Sequence, residues 1–270
     1  MNDKTDLITS VQNPRIKAVA KLRERRTRSR LDCIVIDGRR ESARALEAGI
    51  RIREVFYCPP LLGHDADRCI LQPAGTCGAR LTEVNQTVLA KISYGDRAEG
   101  VVATATRPMT SLGELRLTAC PILAVIEGIE KPGNLGAILR SADGAGVDAA
   151  LVVDPVTDVY GPNVIRSSLG TVFCLPIVEV SAVDAIRWLR DRHIAVVAAS
   201  PDADEFYTDI ALTGPIALAF GCEAQGLTAT WRQASVVQAK VPMLGRADSL
   251  NVSTTAALFF YETLRQRGLS

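Results

Sequence analysis

The chain has no long hydrophobic run. None of its apolar stretches approaches the roughly 18 residues of a membrane-spanning helix, and the opening residues 1–6 lack the apolar core of a signal peptide. We therefore expect a cytoplasmic protein that has no membrane partner. The 270 residues, 47% of them hydrophobic, are enough for about two domains, each with its own core.

Cysteine and histidine are too few and too scattered to suggest a metal centre. The seven cysteines are an odd number without a C-x-x-C pair, and only His64 and His193 could join them as soft ligands. We predict neither a disulfide framework nor a metal site.

Two common catalytic signatures are missing. The absence of G-x-x-x-x-G-K-[ST] excludes a P-loop for ATP or GTP, and the absence of G-x-S-x-G argues against a hydrolase. A G-x-G-x-x-A pattern does occur at 144–149. It follows a predicted helix and precedes a predicted strand, the reverse of the dinucleotide-binding context, so we interpret it as a helix C-terminus.

One segment is far more basic than the net charge of +1 suggests. Residues 15–30 contain eight bases and one acid, Glu24, a local charge of +7 that leaves −6 for the remainder. Such a density suits the phosphate spacing of a nucleic acid. A solvated helix face is the alternative.

The first hundred residues alternate short helix and strand patterns. We predict a helix from Asn13 and Pro14 to about Arg26, helices over 39–48 and 84–91, and strands over 33–36, 52–56 and 101–105. The pattern indicates a small α/β domain over residues 1–106. Residues 107–119 show no sustained period and are the predicted linker.

Residues 120–270 form the second predicted domain. Strand-like runs recur at 122–126, 150–153, 176–180, 194–198, 216–220 and 236–241. Helical stretches are expected over 135–142, 183–190, 227–233 and 254–267. This alternation predicts a doubly wound, mostly parallel sheet with helices on both faces. Ligands of such sheets bind at the carboxyl ends of the strands.

Three loops follow these predicted strands, and all are rich in glycine and small polar residues. They are Glu130-Lys-Pro-Gly-Asn-Leu-Gly-Ala-Ile-Leu-Arg140, Phe220-Gly-Cys-Glu-Ala-Gln-Gly-Leu227, and the segment that joins Val241-Pro-Met-Leu244 to Asp248-Ser-Leu-Asn-Val-Ser253. Such residues let the backbone approach a bound molecule closely. We predict one ligand site built from the three loops.

Together the loops resemble the signature motifs of the SpoU (TrmH-like) ribose 2′-O-methyltransferases, members of the knotted SPOUT class. The resemblance implies S-adenosylmethionine as the cofactor and RNA as the substrate, ribosomal RNA before tRNA. It also implies a C-terminal trefoil knot and a homodimer with its site at the subunit interface.

The resemblance assigns roles to individual residues of the three loops. The catalytic group is Asn134, Arg140, Glu223, Ser249 and Asn251. The cofactor-binding group is Leu218, Gly221, Gly226, Val241, Met243, Leu244 and Leu250. Two plainer interpretations stay open, since Asn251 could simply cap the last helix and Arg140 could be an ordinary surface arginine.

The N-terminal domain resembles the substrate-binding domain that precedes the catalytic domain in many of these enzymes. The resemblance rests on Asn13-Pro14, the basic run and Asp37-Gly-Arg-Arg-Glu41, and residues 163–170 look like the arginine-x-serine helix of the family. The predicted RNA contacts are Arg15, Lys17, Arg23, Arg25, Arg26, Arg28, Arg30, Arg39 and Arg166.

The chain departs from the family pattern at two positions. Lys131 stands where many relatives carry an acid, and Cys222 where many carry serine or asparagine.

The alternative functions are a tRNA methyltransferase, a non-catalytic RNA-binding protein that keeps the fold and, more distantly, a dehydrogenase. Retention of the five polar catalytic positions argues against the non-catalytic alternative.

Overall fold

Residue contacts divide the chain into two units. The structure, a computed structural model, describes residues 7–63, 65–94, 99–222, 226–234 and 236–268. The first unit is Met1–Pro108 with Tyr160–Cys174, and the second is Met109–Val159 with Leu175–Ser270. A short segment from the middle of the chain therefore groups with the N-terminal part. The domain boundaries expected from the sequence, at 106 and 119, stay a prediction.

The first unit begins with a small α/β fold. Its strands are β1 (Leu7–Ile8), β2 (Cys33–Asp37), β3 (Ile52–Tyr57), β4 (Arg80–Val84) and β5 (Val101–Thr106), and its helices in this part of the chain are α1 (Pro14–Lys21), α2 (Arg25–Leu31), α3 (Arg39–Glu47), α4 (Gln72–Thr76) and α5 (Gln86–Ile92). The sheet order is β1-β4-β3-β5-β2, and β5 is antiparallel to both of its neighbours. Apolar residues of α1 and α5 pack together with residues of the sheet in a single core.

The prediction of one helix from residue 13 to residue 26 is wrong, although its start is confirmed. The Asn13 side chain accepts a hydrogen bond from the Arg15 amide, and Pro14 occupies the first turn of α1. The helix ends at Lys21, and α2 begins at Arg25. The buried Arg28 guanidinium stabilises this break, because it donates to the carbonyl oxygens of Leu22 and Arg23 at 2.7 and 2.8 Å.

The helix predicted over 84–91 begins slightly later. Asn85 is the N-cap of α5, and its side chain accepts from the Val88 amide at 2.9 Å. Residues 80–84 instead form β4, a strand that the sequence analysis missed. It pairs in parallel with both β3 and β1.

The second unit is built on a parallel sheet. In chain order its elements are β6 (Ile122–Glu127), α6 (Pro132–Gly144), β7 (Ala149–Val153), β8 (Ile177–Val180), α8 (Ala182–Asp191), β9 (Ala195–Ala199), β10 (Ile216–Phe220), α9 (Ala229–Gln233), β11 (Val237–Ala239) and α10 (Val252–Gln266); helix α7 (Pro162–Ser167) belongs to the first unit. The strand order is β11-β9-β10-β6-β7-β8, with every pair parallel.

Helices cover both faces of this sheet, as predicted. Because successive strand residues face opposite sides, Phe220 and Leu123 lie on different faces. Phe220 meets the rings of Phe259 and Phe260 on α10, whereas Leu123 shares a core with residues of α8 and α9. The predicted strands and helices are all present, with ends that match or shift by at most three residues. The trefoil knot stays a prediction.

The glycine pattern at 144–149 closes a helix, as predicted. Helix α6 ends at Gly144, Gly146 has a φ of 64°, and the Val147 amide donates back to the Ala142 carbonyl at 2.9 Å. Within the described ranges, no helix is both long enough and apolar enough to cross a membrane.

Replacing Arg28 by alanine should destabilise the protein by about 1–3 kcal/mol, because the carbonyl groups of Leu22 and Arg23 lose their charged donor. The matched control is Arg26→Ala in the same helix, where the side chain is exposed; we expect a change within about 0.5 kcal/mol. Urea unfolding of both variants measures the difference. Equal midpoints would refute this role for Arg28.

Candidate active site

The three motif loops leave the same edge of the parallel sheet. Strand β10 pairs with β6 so that Phe220 is opposite Ile126, and β9 joins β10 to β11. Since all the strands run in one direction, the loops after β6, β10 and β11 begin at one edge. The sequence expectation that the motifs converge on the carboxyl ends of strands is met in the fold.

A cavity of about 810 Å³ lies at this edge. Its volume is within the range typical of small-molecule sites. Of the residues predicted from the motifs, eight line it: Gly221, Gly226, Val241, Met243, Leu244, Ser249, Leu250 and Asn251. Leu244 is fully exposed and Leu250 is 36% exposed, so the cavity offers apolar side chains that a ligand could cover.

Leu218 is the predicted cofactor residue that is not among the lining residues. It lies in the middle of β10, opposite Ala124 on β6 and Val197 on β9, and its side chain is completely buried. This position makes Leu218 a residue of the hydrophobic core and not of the cavity wall.

Asn134 and Asn251 are brought together. The Asn251 side-chain amide donates to the Asn134 Oδ1 at 3.3 Å. The Asn251 Oδ1 also accepts from the amide and hydroxyl of Ser253, at 2.9 and 2.7 Å, and so caps α10. One side chain therefore both starts the last helix and joins the first and third motifs.

Arg140 does not line the cavity of its own chain. It is exposed on α6, six residues after Asn134. Six helical residues separate the two positions by about 9 Å along the axis and about 120° around it. Within one chain, Arg140 and Asn134 therefore lie on different sides of α6. Glu223, the remaining catalytic candidate, lies outside the described residues.

Hydrogen bonds from Thr157 fix the start of the first motif loop. This threonine is buried, and its hydroxyl donates to the carbonyl oxygens of Ile129 and Glu130 at 2.6 and 2.9 Å. The backbone that leads into α6 is thus fixed two residues before Pro132.

The second motif loop folds back on itself at Gly221. Cys222 and Gly226 form an antiparallel bridge, with the Gly226 amide donating to the Cys222 carbonyl at 2.9 Å. A Cβ at Gly221 would fall well inside van der Waals distance of the backbone of Gly226 and Leu227. Only glycine permits this close approach.

Glu127 is a site feature that the sequence analysis missed. It ends β6 and is only 3% exposed, yet its carboxylate accepts three hydrogen bonds: from the Thr228 amide at 2.7 Å, the Thr228 hydroxyl at 2.9 Å and the Trp231 Nε1 at 3.1 Å. These bonds join β6 to the start of α9. A charged residue at the end of the apolar run Ile122–Ile126 was the available signal.

The loop after β9 forms another wall of the cavity, which no sequence motif predicted. Ser200, Pro201, Asp202 and Phe206 line the cavity. Phe206 pairs with Lys240 through a parallel bridge, and the Lys240 ammonium lies 5.5 Å from its ring centroid. Such residues carry no pattern that would distinguish them from an ordinary surface loop.

The first unit uses several of its predicted RNA-contact arginines internally. Arg15 pairs with Glu54 and donates to the Thr82 hydroxyl, Arg23 donates to the carbonyls of Lys91 and Ser93, and Arg28 is buried. The other predicted contacts within residues 15–30, and Arg39, are exposed: Lys17, Arg25, Arg26, Arg30 and Arg39. RNA contact through the basic run stays a prediction.

Arg166 also has a partner within the first unit. Its guanidinium donates to the Tyr94 carbonyl at 2.6 Å. The Tyr94 amide donates in turn to Asp37, whose pKa is raised to about 6 by burial, against the opposing effects of that amide and of the Arg166 charge. The three residues connect α7 to the end of β2, which accounts for Arg166 in the absence of RNA.

Comparisons with known proteins agree with this fold. The SpoU rRNA Methylase family matches residues 121–261, and the MRM3-like substrate binding domain matches residues 13–103. A 23S rRNA (uridine(2479)-2′-O)-methyltransferase of Streptomyces viridochromogenes is 30% identical over 260 residues, which cover 92% of this chain and 88% of that protein.

Solved structures give the same result. The crystal structure of an RNA 2′-O ribose methyltransferase superimposes with a TM-score of 0.84 and 42% identity, over 97% of this chain and all of the other. An AdoMet-bound rRNA methyltransferase from Sinorhizobium meliloti gives a TM-score of 0.88 with 27% identity, over 96% and 97% of the two chains.

Fold, cavity and comparisons together define an RNA 2′-O-ribose methyltransferase. The chain belongs to the SpoU rRNA methylase family. The resemblance seen in the three loop motifs is confirmed.

Replacing Gly221 by alanine should destabilise the protein by about 1–3 kcal/mol, because the new methyl group overlaps the backbone of Gly226 and Leu227. Gly214→Ala is the matched control, since its added Cβ meets nothing within 4 Å. Denaturant unfolding compares the two variants. A Gly221→Ala protein as stable as the control would contradict the close approach.

Proposed function

We propose that this protein transfers the methyl group of S-adenosylmethionine to the 2′-hydroxyl of a ribose in ribosomal RNA. The observation that carries the proposal is the convergence of three motif loops on one cavity, with Asn251 on its wall bonded to Asn134. The rRNA substrate is supported by the relatives, which include a 23S rRNA methyltransferase and a further rRNA methyltransferase. We place this activity in the cytoplasm.

The cavity suits S-adenosylmethionine in size and in lining. The exposed Leu244 and Leu250 and the half-buried Met243 can cover the adenosine. The backbone beside Gly221 and Gly226 can approach the ligand closely because neither residue has a side chain. Ser249 and Asn251 add polar groups at the same wall. The bound sulfonium supplies an activated methyl group.

Positioning accounts for most of the catalysis in this proposal. The protein must hold the ribose oxygen in line with the methyl group and help one proton to leave. Asn134 and Asn251 fix the loops around the ribose, and Glu223 and Ser249 are the further candidates. Arg140 stays protonated in a protein, so it clamps the phosphate and stabilises the developing alkoxide.

The position of Arg140 supports a homodimer. Because this residue lies off the cavity of its own chain, a second copy is needed to bring an Arg140 side chain to the RNA side of the site. In the same proposal, residues 1–106 bind the substrate RNA and residues 120–270 carry the chemistry.

Methyl-labelled S-adenosylmethionine provides the test. We expect incubation with rRNA, followed by digestion to nucleosides, to give one labelled 2′-O-methylnucleoside. A matched tRNA fraction should stay unlabelled, and label confined to tRNA would contradict the rRNA substrate. A protein that binds the cofactor but labels no RNA would contradict catalysis.

In this assay Arg140→Ala should lower labelling by at least about 100-fold, because transition-state stabilisation by a charged donor is lost. Cofactor affinity should stay within a few-fold, since the side chain lies off the cavity. Arg187→Ala, an exposed arginine on α8, is the control and should keep full activity. Wild-type labelling by Arg140→Ala would remove this residue from the mechanism.

Reversing charges on the exposed part of the basic run should weaken RNA binding and flatten its salt dependence. We choose Lys17→Glu, Arg26→Glu and Arg30→Glu because these side chains are exposed, whereas Arg15, Arg23 and Arg28 bind other parts of the protein. Each lost phosphate contact should reduce the slope of log K against log salt by about 1. The comparison is a double reversal at Arg187 and Arg190 on α8. An unchanged slope in the triple variant would refute RNA contact through this face.

A further inference from the structure

We propose that the buried carboxylate of Glu127 makes the cofactor cavity selective for a cation. The cavity would then hold the sulfonium of S-adenosylmethionine more tightly than S-adenosylhomocysteine, the neutral thioether that remains after transfer. This inference rests on the proposed function and concerns a residue behind the cavity wall.

The hydrogen bonds of Glu127 engage both of its carboxylate oxygens. Both carboxylate oxygens accept: Oε1 from the Thr228 hydroxyl and Trp231 Nε1, and Oε2 from the Thr228 amide. All three contacts come from hydrogen-bond donors, an arrangement that suits an ionised carboxylate.

The charge has no cationic partner among the residues that the structure describes. The three donors are neutral, and every ion pair recorded in the described part of the chain involves other carboxylates. A buried charge without a counterion is costly unless something compensates it. The hydrogen bonds give part of the compensation, and a cationic ligand would give more.

The carboxylate is hydrogen-bonded to a residue of the cavity wall. Its partner Trp231 lines the cavity and is only 1% exposed, and Gly226 and Leu227, which precede Thr228, line it as well. One hydrogen bond therefore separates the charge from the wall. Protein interior lies between them, so the field of Glu127 reaches the cavity with little screening by water.

Other charged side chains line the same cavity, and their positions differ from that of Glu127. They are Lys131, Asp202, Lys240 and Asp248, two of each sign, and each is exposed or half-exposed. Solvent and salt screen such groups strongly. Their opposite signs also cancel in part, so the buried carboxylate dominates the charge preference.

Methyl transfer removes the charge that Glu127 favours. The S–CH₃ bond breaks and its electron pair stays on sulfur, while the O–CH₃ bond forms and the hydroxyl proton passes to water. The cofactor thereby loses one positive charge. Attraction to Glu127 is present before the reaction and absent after it, which favours exchange of the spent cofactor for a new one.

Calorimetric titration with S-adenosylmethionine and S-adenosylhomocysteine tests the proposal. Wild-type protein should bind the sulfonium more tightly, and Glu127→Gln should reduce the ratio of the two Kd values by about tenfold, because a unit charge is lost in a poorly screened site. Glu127→Asp keeps the charge and should keep the ratio, even where both affinities fall. The ratio does not depend on the active fraction of a preparation.

Two control variants separate charge from geometry. Thr228→Val removes the hydroxyl donor but keeps the carboxylate, so the ratio should be unchanged. Glu179→Gln removes the same net charge from an exposed site on β8, at the other end of the sheet from β9 and β11, and should also leave it unchanged. Equal loss of both ligands in Glu127→Gln would show a purely structural residue and overturn the proposal.

Wild-type protein alone gives a second test, which does not depend on the folding of Glu127→Gln. Sinefungin, which carries an ammonium group in place of the sulfonium, should also bind more tightly than S-adenosylhomocysteine. Equal binding of all three ligands would overturn the inference but keep the proposed function. Failure of the wild type to bind any of them would overturn the proposed function itself.

Discussion

The parallel pairing of β6 with β10 is the constraint on which the site depends. It sets Phe220 opposite Ile126, so that the loops of the first two motifs start side by side, although about ninety residues separate them in the sequence. The Glu127 carboxylate then fixes the second loop from behind through Thr228 and Trp231. Without this register, the glycines would line no common space.

Asn251 completes the arrangement from the third motif. It caps α10 and bonds to Asn134, so the start of the last helix is tied to the start of α6. The same two helices pack against each other along their length. A residue that serves both as a cap and as a site residue needs no choice between the two interpretations, because the cap is what holds the amide in place.

Sequence patterns predict the second unit well, since its strands are nearly continuous apolar runs and its loops carry recognisable residues. They fail where a single side chain decides the outcome. Arg28 ends the first helix by binding two carbonyl groups, and no local pattern distinguishes it from the exposed Arg26. Glu127 lay outside every motif, because its role appears only when Thr228 is brought back across the sheet. The cavity wall formed by the loop after β9 also depends on pairing between residues that are distant in the sequence.

The cap at Asn251 also sets the order in which the three motifs can be joined during synthesis. Residues 252–266 form α10, and the link between Asn251 and Asn134 cannot be made before that helix exists. On a translating ribosome, the sheet and its first two loops are therefore synthesised well before the site can close. A chain that stops short of the final helix therefore lacks the bond that joins the first motif to the third.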